Sequence, residues 1–257
     1  MEGLKNQSLL KKLLLLLLST LSAQQALAEI EFDSSLLPNE RRIIRSDLQV
    51  VSQLKSDSIV LGDFQNRSKA LQAMKQKPNE WMLQRIKVLV GPLNRSGFLN
   101  SSNRALMRNL GAVLTGTESQ LANISVNGRK IEVRGPDVGV VQFLKDPSQI
   151  VINSTKPADA LVNSIYRIGL LFHDARHSDG SAQSRGIPHM ACPPKHLYQG
   201  QILCDGYVDG SFATEILIGE ALLAQFREKL DEADQKLLAS WIKTRKRHIV
   251  GSEIYGD

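Results

Sequence analysis

Four of the five histidines and both cysteines of this chain fall within residues 173–204. His173 and His177 are four apart in a stretch with helical periodicity, so their imidazoles emerge on one face, one turn apart. That spacing suits two nitrogen ligands gripping one metal ion. Asp174 follows the first histidine directly. A catalytic metal needs a third protein ligand. His189 is the next histidine along a proline-restricted loop, with Asp205 and Glu215 as the alternatives, followed by Asp179, Asp209 and Glu220. His196 could orient a substrate or stabilise an oxyanion, or simply make a loop hydrogen bond, and Tyr198 could supply a phenolic donor. Arg176 lies between the two helical histidines and points to another face, which fits a salt bridge that holds the loop.

The run His173-Asp-Ala-Arg-His177 resembles the H-E-x-x-H motif of zincin metallopeptidases, with aspartate in place of glutamate. The resemblance implies bound zinc, with His173 and His177 as ligands and Asp174 as general base. Aspartate is one methylene shorter, which sets its carboxylate back by on the order of 1.5 Å. Gly180 falls where metzincins place a turning glycine, but Gln183 stands at their third histidine. Gluzincins complete the site with a glutamate on the following helix, which would be Glu215 or Glu220. The wider pattern of His-Asp-Ala-Arg-His-Ser-Asp-Gly, Gly-x-x-His-x-x-Cys-Pro and Tyr-x-Gly-x-x-x-Cys-Asp-Gly is similar to a set of uncharacterised exported bacterial proteins. In that set the opening is more often His-Glu-Ala-Arg-His. This likeness covers roughly residues 165–225 and implies a shared metal-type site.

The beginning of the chain reads as an export signal. Lys5, Lys11 and Lys12 precede the leucine run 13–18, and Ala26-Leu27-Ala28 offers a cleavage site. The apolar run is shorter than the roughly 20 residues that span a bilayer. The expectation is a signal peptide over 1–28, then a single periplasmic or secreted domain over 29–257 with no stable membrane insertion. In an oxidising compartment Cys192 and Cys204 are expected to pair as a disulfide. The formal charge of +6 gathers around Arg41, Arg42 and Arg45 and around Lys243, Arg245, Lys246 and Arg247. Aromatics make up 5% of the chain, too few to interleave with these cations as nucleic-acid binding demands. A mild basic excess is compatible with an anionic cell-wall polymer or membrane surface.

The elements that must position these residues read as helix-rich α+β, a single domain with a small antiparallel sheet. Residues 29–37 look extended. Helices are expected from Pro38 through Leu54, from Asn66 to Lys75, from Pro78 through Val90 and, capped by Ser101 to Asn103, through Leu114. Asn127-Gly128 marks a hairpin between alternating segments, with further strands at 138–144 and 149–152. The three parts are a helical stretch over 38–122, a sheet over 124–152 and a site-bearing helical stretch over 157–250. In the last, Pro157 starts the metal-site helix, a disulfide-stapled loop follows, Ser211 could cap the next helix, and Asp231 starts the last.

These residues support an exported zinc-dependent hydrolase acting on protein or cell-wall peptide. The alternative is a non-catalytic binding or structural protein of the cell envelope, stapled by its metal or disulfide. A metal-independent serine hydrolase has little behind it, because Gly-x-Ser-x-Gly is absent.

Overall fold

The computed structural model of the chain describes residues 30–32, 34, 36, 38–90, 109–114, 121–126, 129–134, 140–145, 158–177, 187 and 189–255. The expected signal segment 1–28, the strand expected at 149–152 and residues 178–186 lie outside them. The fold is α+β and helix-rich, as the periodicity implies. Strand β1 (Glu31–Phe32) precedes helix α1 (Pro38–Ser52), then come α2 (Lys69–Gln76) and α3 (Pro78–Leu83). Ser68 caps α2 by accepting from the Leu71 N–H, and Pro78 sits in the first turn of α3, where its missing N–H costs nothing.

The structure departs from the helical reading of residues 38–122. The helix expected through Val90 ends at Leu83, and Ile86–Val90 forms strand β2. The helix expected through Leu114 is strand β3 (Asn109–Leu114) over its described part. The physical reason is the β-branched composition of Ile86-Lys-Val-Leu-Val90, which favours an extended ribbon once partners are supplied from afar. β2 pairs antiparallel with β3 and parallel with β1, and β3 pairs with β6 (Val140–Lys145), so this sheet is mixed and has four strands. The expected antiparallel pairing about residues 127–128, which themselves lie outside the described residues, forms between β4 (Leu121–Val126) and β5 (Arg129–Arg134), with Val126 opposite Arg129.

Helix α4 (Ala158–His177) carries the site and packs closely on α5 (Ser211–Gln225). Val162, Ile165, Ile168, Leu171, Phe172 and Ala175 are buried on α4, and α5 is buried almost all round. An apolar helix that is covered on every side belongs at the centre of a core. Helix α6 (Glu232–Lys246) lies across both, with Asp231 accepting from the Asp234 N–H as its cap. Trp241 of α6 rests on Gly169 of α4 and Gly219 of α5, where an added Cβ would come within 2.8 and 2.7 Å of the indole. On the other flank of α4, Trp81 stacks on Phe172 at 5.9 Å. Asp47 of α1 accepts from Arg167 Nε at 2.6 Å and from Ser164 Oγ at 2.6 Å, a buried ion pair that ties α1 to α4.

The loop expected between the site helices contains structure of its own. β7 (Met190–Ala191) and β8 (Ile202–Tyr207) form an antiparallel hairpin closed by the Cys192–Cys204 disulfide, and β9 (Ile249–Glu253) pairs parallel with β8. Among the described residues no helix is long and apolar enough to cross a membrane.

Candidate metal centre

His173 and His177 leave the last turn of α4 one turn apart, and His189 comes from the residue just before β7. Their ligand nitrogens all lie within 4.8 Å of one another, so the three can bind a metal ion. His173 Nε2 and His189 Nε2 are 3.1 Å apart. Two nitrogens at zinc-bonding distance in a tetrahedral arrangement would be separated by about 3.3 Å. Among the described residues no further carboxylate or sulfur joins the group.

The far nitrogen of each ring has its own partner. His177 Nδ1 donates to the Ile187 carbonyl, which can only accept. His173 Nδ1 is 2.8 Å from Glu215 Oε2 on α5, and His189 Nδ1 is 2.9 Å from Asp205 Oδ1 on β8. An ionised carboxylate accepts only, so Asp205 behind His189, and Glu215 behind His173 in its ionised form, favour the tautomer with the ring proton on Nδ1, which leaves Nε2 for a metal. The two Nε2 atoms, 3.1 Å apart, can share either a proton or a metal ion. Burial holds His173 well below the usual histidine range, and burial followed by its two imidazole neighbours pushes His177 down to about 3. Both rings are therefore neutral near pH 7, the form a metal requires.

The carboxylates are themselves fixed. Asp205 Oδ2 accepts from the Phe212 N–H at 2.7 Å, so a β8 side chain satisfies an orphan donor in the first turn of α5. Gly210 occupies the cap position there, a correction to the expectation that Ser211 would. A Cβ on Gly210 would come within 2.5 Å of Asp205 Oδ2, so only glycine leaves room for that carboxylate. Ser211 is instead the first helical residue, its hydroxyl 3.2 Å from His177 Nδ1. Glu215 is fully buried, and burial pushes it up to about 7 even with Arg245 Nε 2.9 Å from its other oxygen. That contact is an ion pair without hydrogen-bond alignment. A continuous chain thus runs from Arg245 through Glu215 to His173.

The structure sorts the candidate residues. His173, His177 and His189 come together. Asp205 and Glu215, considered as ligands, instead stand behind two of the rings and orient them. Arg176 is the expected salt bridge, made to Asp209 at 3.0 Å, and Asp209 also accepts from Ser68 Oγ and the Tyr255 N–H. Asp174 is buried, its Oδ2 without a hydrogen-bond partner, and burial and the Glu215 charge hold it well above the usual carboxylate range. His196 and Tyr198 sit apart from the three imidazoles. His196 Nε2 donates to the Arg247 carbonyl, and Tyr198 stacks on His248, which stacks on Phe212, which in turn meets His189.

Sequence reasoning missed Arg245 and His248. Both lie in a basic stretch that reads as a solvated helix end, yet the His248 carbonyl accepts from the Asp205 N–H and its ring is buried in the aromatic stack. One signal was present. Glu215 interrupts the apolar run Phe212-Ala-Thr-Glu-Ile-Leu-Ile218, and a carboxylate there must have a specific partner. No family model, curated protein or solved structure matches this chain.

Proposed function

We propose that the chain is an exported zinc-dependent hydrolase, similar in its site to the zincins, with His173, His177 and His189 as the metal ligands. The observation that carries this reading is the set of three converging imidazoles, each with its other nitrogen held by an acceptor. Neutral imidazoles select zinc-like ions over calcium or magnesium, which prefer oxygen. Three protein ligands are the number of a catalytic site that keeps one position open, whereas structural zinc sites take four. Bound zinc supplies Lewis acidity, which polarises a carbonyl and makes water nucleophilic near neutral pH.

The roles of the chain's own residues follow from their contacts. Glu215 and Asp205 hold the His173 and His189 rings by their Nδ1 protons, and the Ile187 carbonyl holds His177. Asp174, whose unpartnered Oδ2 is held well above the usual carboxylate range by burial and the Glu215 charge, is the residue proposed to hold and move a proton. The substrate class is a peptide or ester of protein or cell wall.

Elemental analysis of the purified protein should find about one equivalent of zinc, lost in His177→Ala. Protein that stays metal-free after reconstitution would overturn the reading. The non-catalytic alternative draws support from the burial of His173 and His177, at 7 and 8% exposure. Metal content without hydrolysis of casein, peptidoglycan or model esters would favour it. Asp174→Glu separates the two further, since a gain in hydrolysis is expected only of an enzyme.

A further inference from the structure

The hairpin that follows His189 exposes apolar side chains at a density not matched among the other described residues. Of six exposed large hydrophobics, four are Met190, Leu197, Ile202 and Leu203. Leu197 is 74% and Ile202 69% exposed, and exposed Ala191 pairs across the ladder from Ile202. Scattered exposed leucines need no explanation, but a cluster on one disulfide-closed projection does.

The charge on the hairpin itself is of one sign. Residues 190–203 contain no aspartate or glutamate. Lys195 is exposed at the tip, held in the left-handed region at φ 68° with its N–H donating to Gln199 Oε1 at 2.9 Å. A non-glycine residue held there is strained, and such strain persists where the surrounding structure enforces it. The hydrogen bond from His196 Nε2 to the Arg247 carbonyl brings the end of α6 beside the hairpin, with Arg247 and Lys243 both exposed.

We propose that this hairpin docks the protein on an anionic lipid surface. Leu197 and Ile202 enter the boundary between headgroups and acyl chains, and Lys195, Arg247 and Lys243 meet the phosphates. Exposed aliphatic side chains on a hairpin with a lysine at its tip and a basic helix end beside it match a surface that is apolar beneath and anionic above. A protein partner would call instead for aromatic anchors and mixed charge. The disulfide between Cys192 and Cys204 fixes the hairpin in advance, so docking orders little new chain. Because His189 adjoins the hairpin, docking sets the three-imidazole cluster close to the membrane surface. The docking itself does not depend on a bound metal.

The experiment is co-sedimentation of the purified protein with vesicles of phosphatidylcholine alone or with one third phosphatidylglycerol. Binding is expected to the anionic vesicles and to weaken with salt. Leu197→Ser and Ile202→Ser should each lower partitioning about tenfold, and Lys195→Glu by about fivefold or more. Emission of a Leu197→Trp variant should shift to the blue on binding, while circular dichroism and absence of free thiol verify the fold. Three results would each overturn the proposal: no binding to anionic vesicles, equal binding by the serine variants, or self-association that those variants abolish. Metal-free protein should bind as well as loaded protein, so this test fails or succeeds separately from the zinc reading.

Discussion

The trio of His173, His177 and His189 and the trio of Cys192, His196 and Cys204 both bring donor atoms within 4.8 Å of one another. In the second trio every donor is already engaged. The two sulfurs bond to each other, His196 Nε2 donates to the Arg247 carbonyl, and His196 Nδ1 accepts from the Tyr198 N–H. In the first trio each ring is held from behind, and the Nε2 lone pairs are left facing inward. Proximity of metal-type residues is therefore not the criterion. What separates a binding site from a structural cluster is whether the lone pairs are free and the groups behind them are acceptors.

The comparison can be broken most decisively at its strong end. Replacing His177 with alanine should lower zinc affinity by on the order of 100-fold or more, read by chelator competition, because one of three ligands is gone. Loss of zinc on His196→Ala instead would reverse the assignment of the two trios. Glu215→Gln should cost about 10- to 100-fold in metal affinity. It also leaves Arg245 without its anionic partner, so denaturant titration should show lower stability in the metal-free protein too.

The second trio is predicted to act through stability. Replacing Cys192 and Cys204 together with serine should cost about 3 kcal/mol, by chain-entropy reasoning for a short loop. Zinc stoichiometry should remain unchanged once the variant is folded.

Acid should also distinguish the trios. His177 is pushed down to about 3 in the folded protein from 6.5, so the unfolded chain takes up its proton first as pH falls. Its contribution is full above pH 6.5 and is lost progressively towards pH 3. Metal-free wild type should therefore lose stability relative to His177→Phe by on the order of 1 kcal/mol per pH unit across that window. A flat difference would mean that the ring is not desolvated. The smallest effect on metal affinity is expected of His196→Ala, less than about twofold, since this ring is hydrogen-bonded to the Arg247 carbonyl and the Tyr198 N–H and lies outside the three-imidazole cluster.

Legibility varied with how local the cause was. The helix bearing His173 and His177 was readable because its apolar residues recur at helical spacing, and that spacing alone put both rings on one face. The two-residue hairpin at Asn127-Gly128 was readable because glycine-containing turns of this kind dictate their own register. Ile86–Val90 and Asn109–Leu114 were misread as helical because short apolar runs suit either state until a partner is present. Asp205 and Glu215 stood out in the sequence as carboxylates near the site, but their role could not be read there. A ligand and a residue that holds a ligand are the same residue type, and they differ only in which atom they face.

The sequence by itself determined the residue types of the site, the one-turn spacing of two imidazoles and the pairing expected of two cysteines, because these depend on composition and on geometry within a few residues. Tertiary structure decided what depends on distance across the chain. It set His189 3.1 Å from His173, turned Asp205 and Glu215 to the backs of the rings, and brought Arg245 and His248 in behind them. These contacts join residues 16 or more apart in the chain, and packing of α4, α5 and α6 together with the pairing of β8 with β7 and β9 brings them together, which no local propensity encodes.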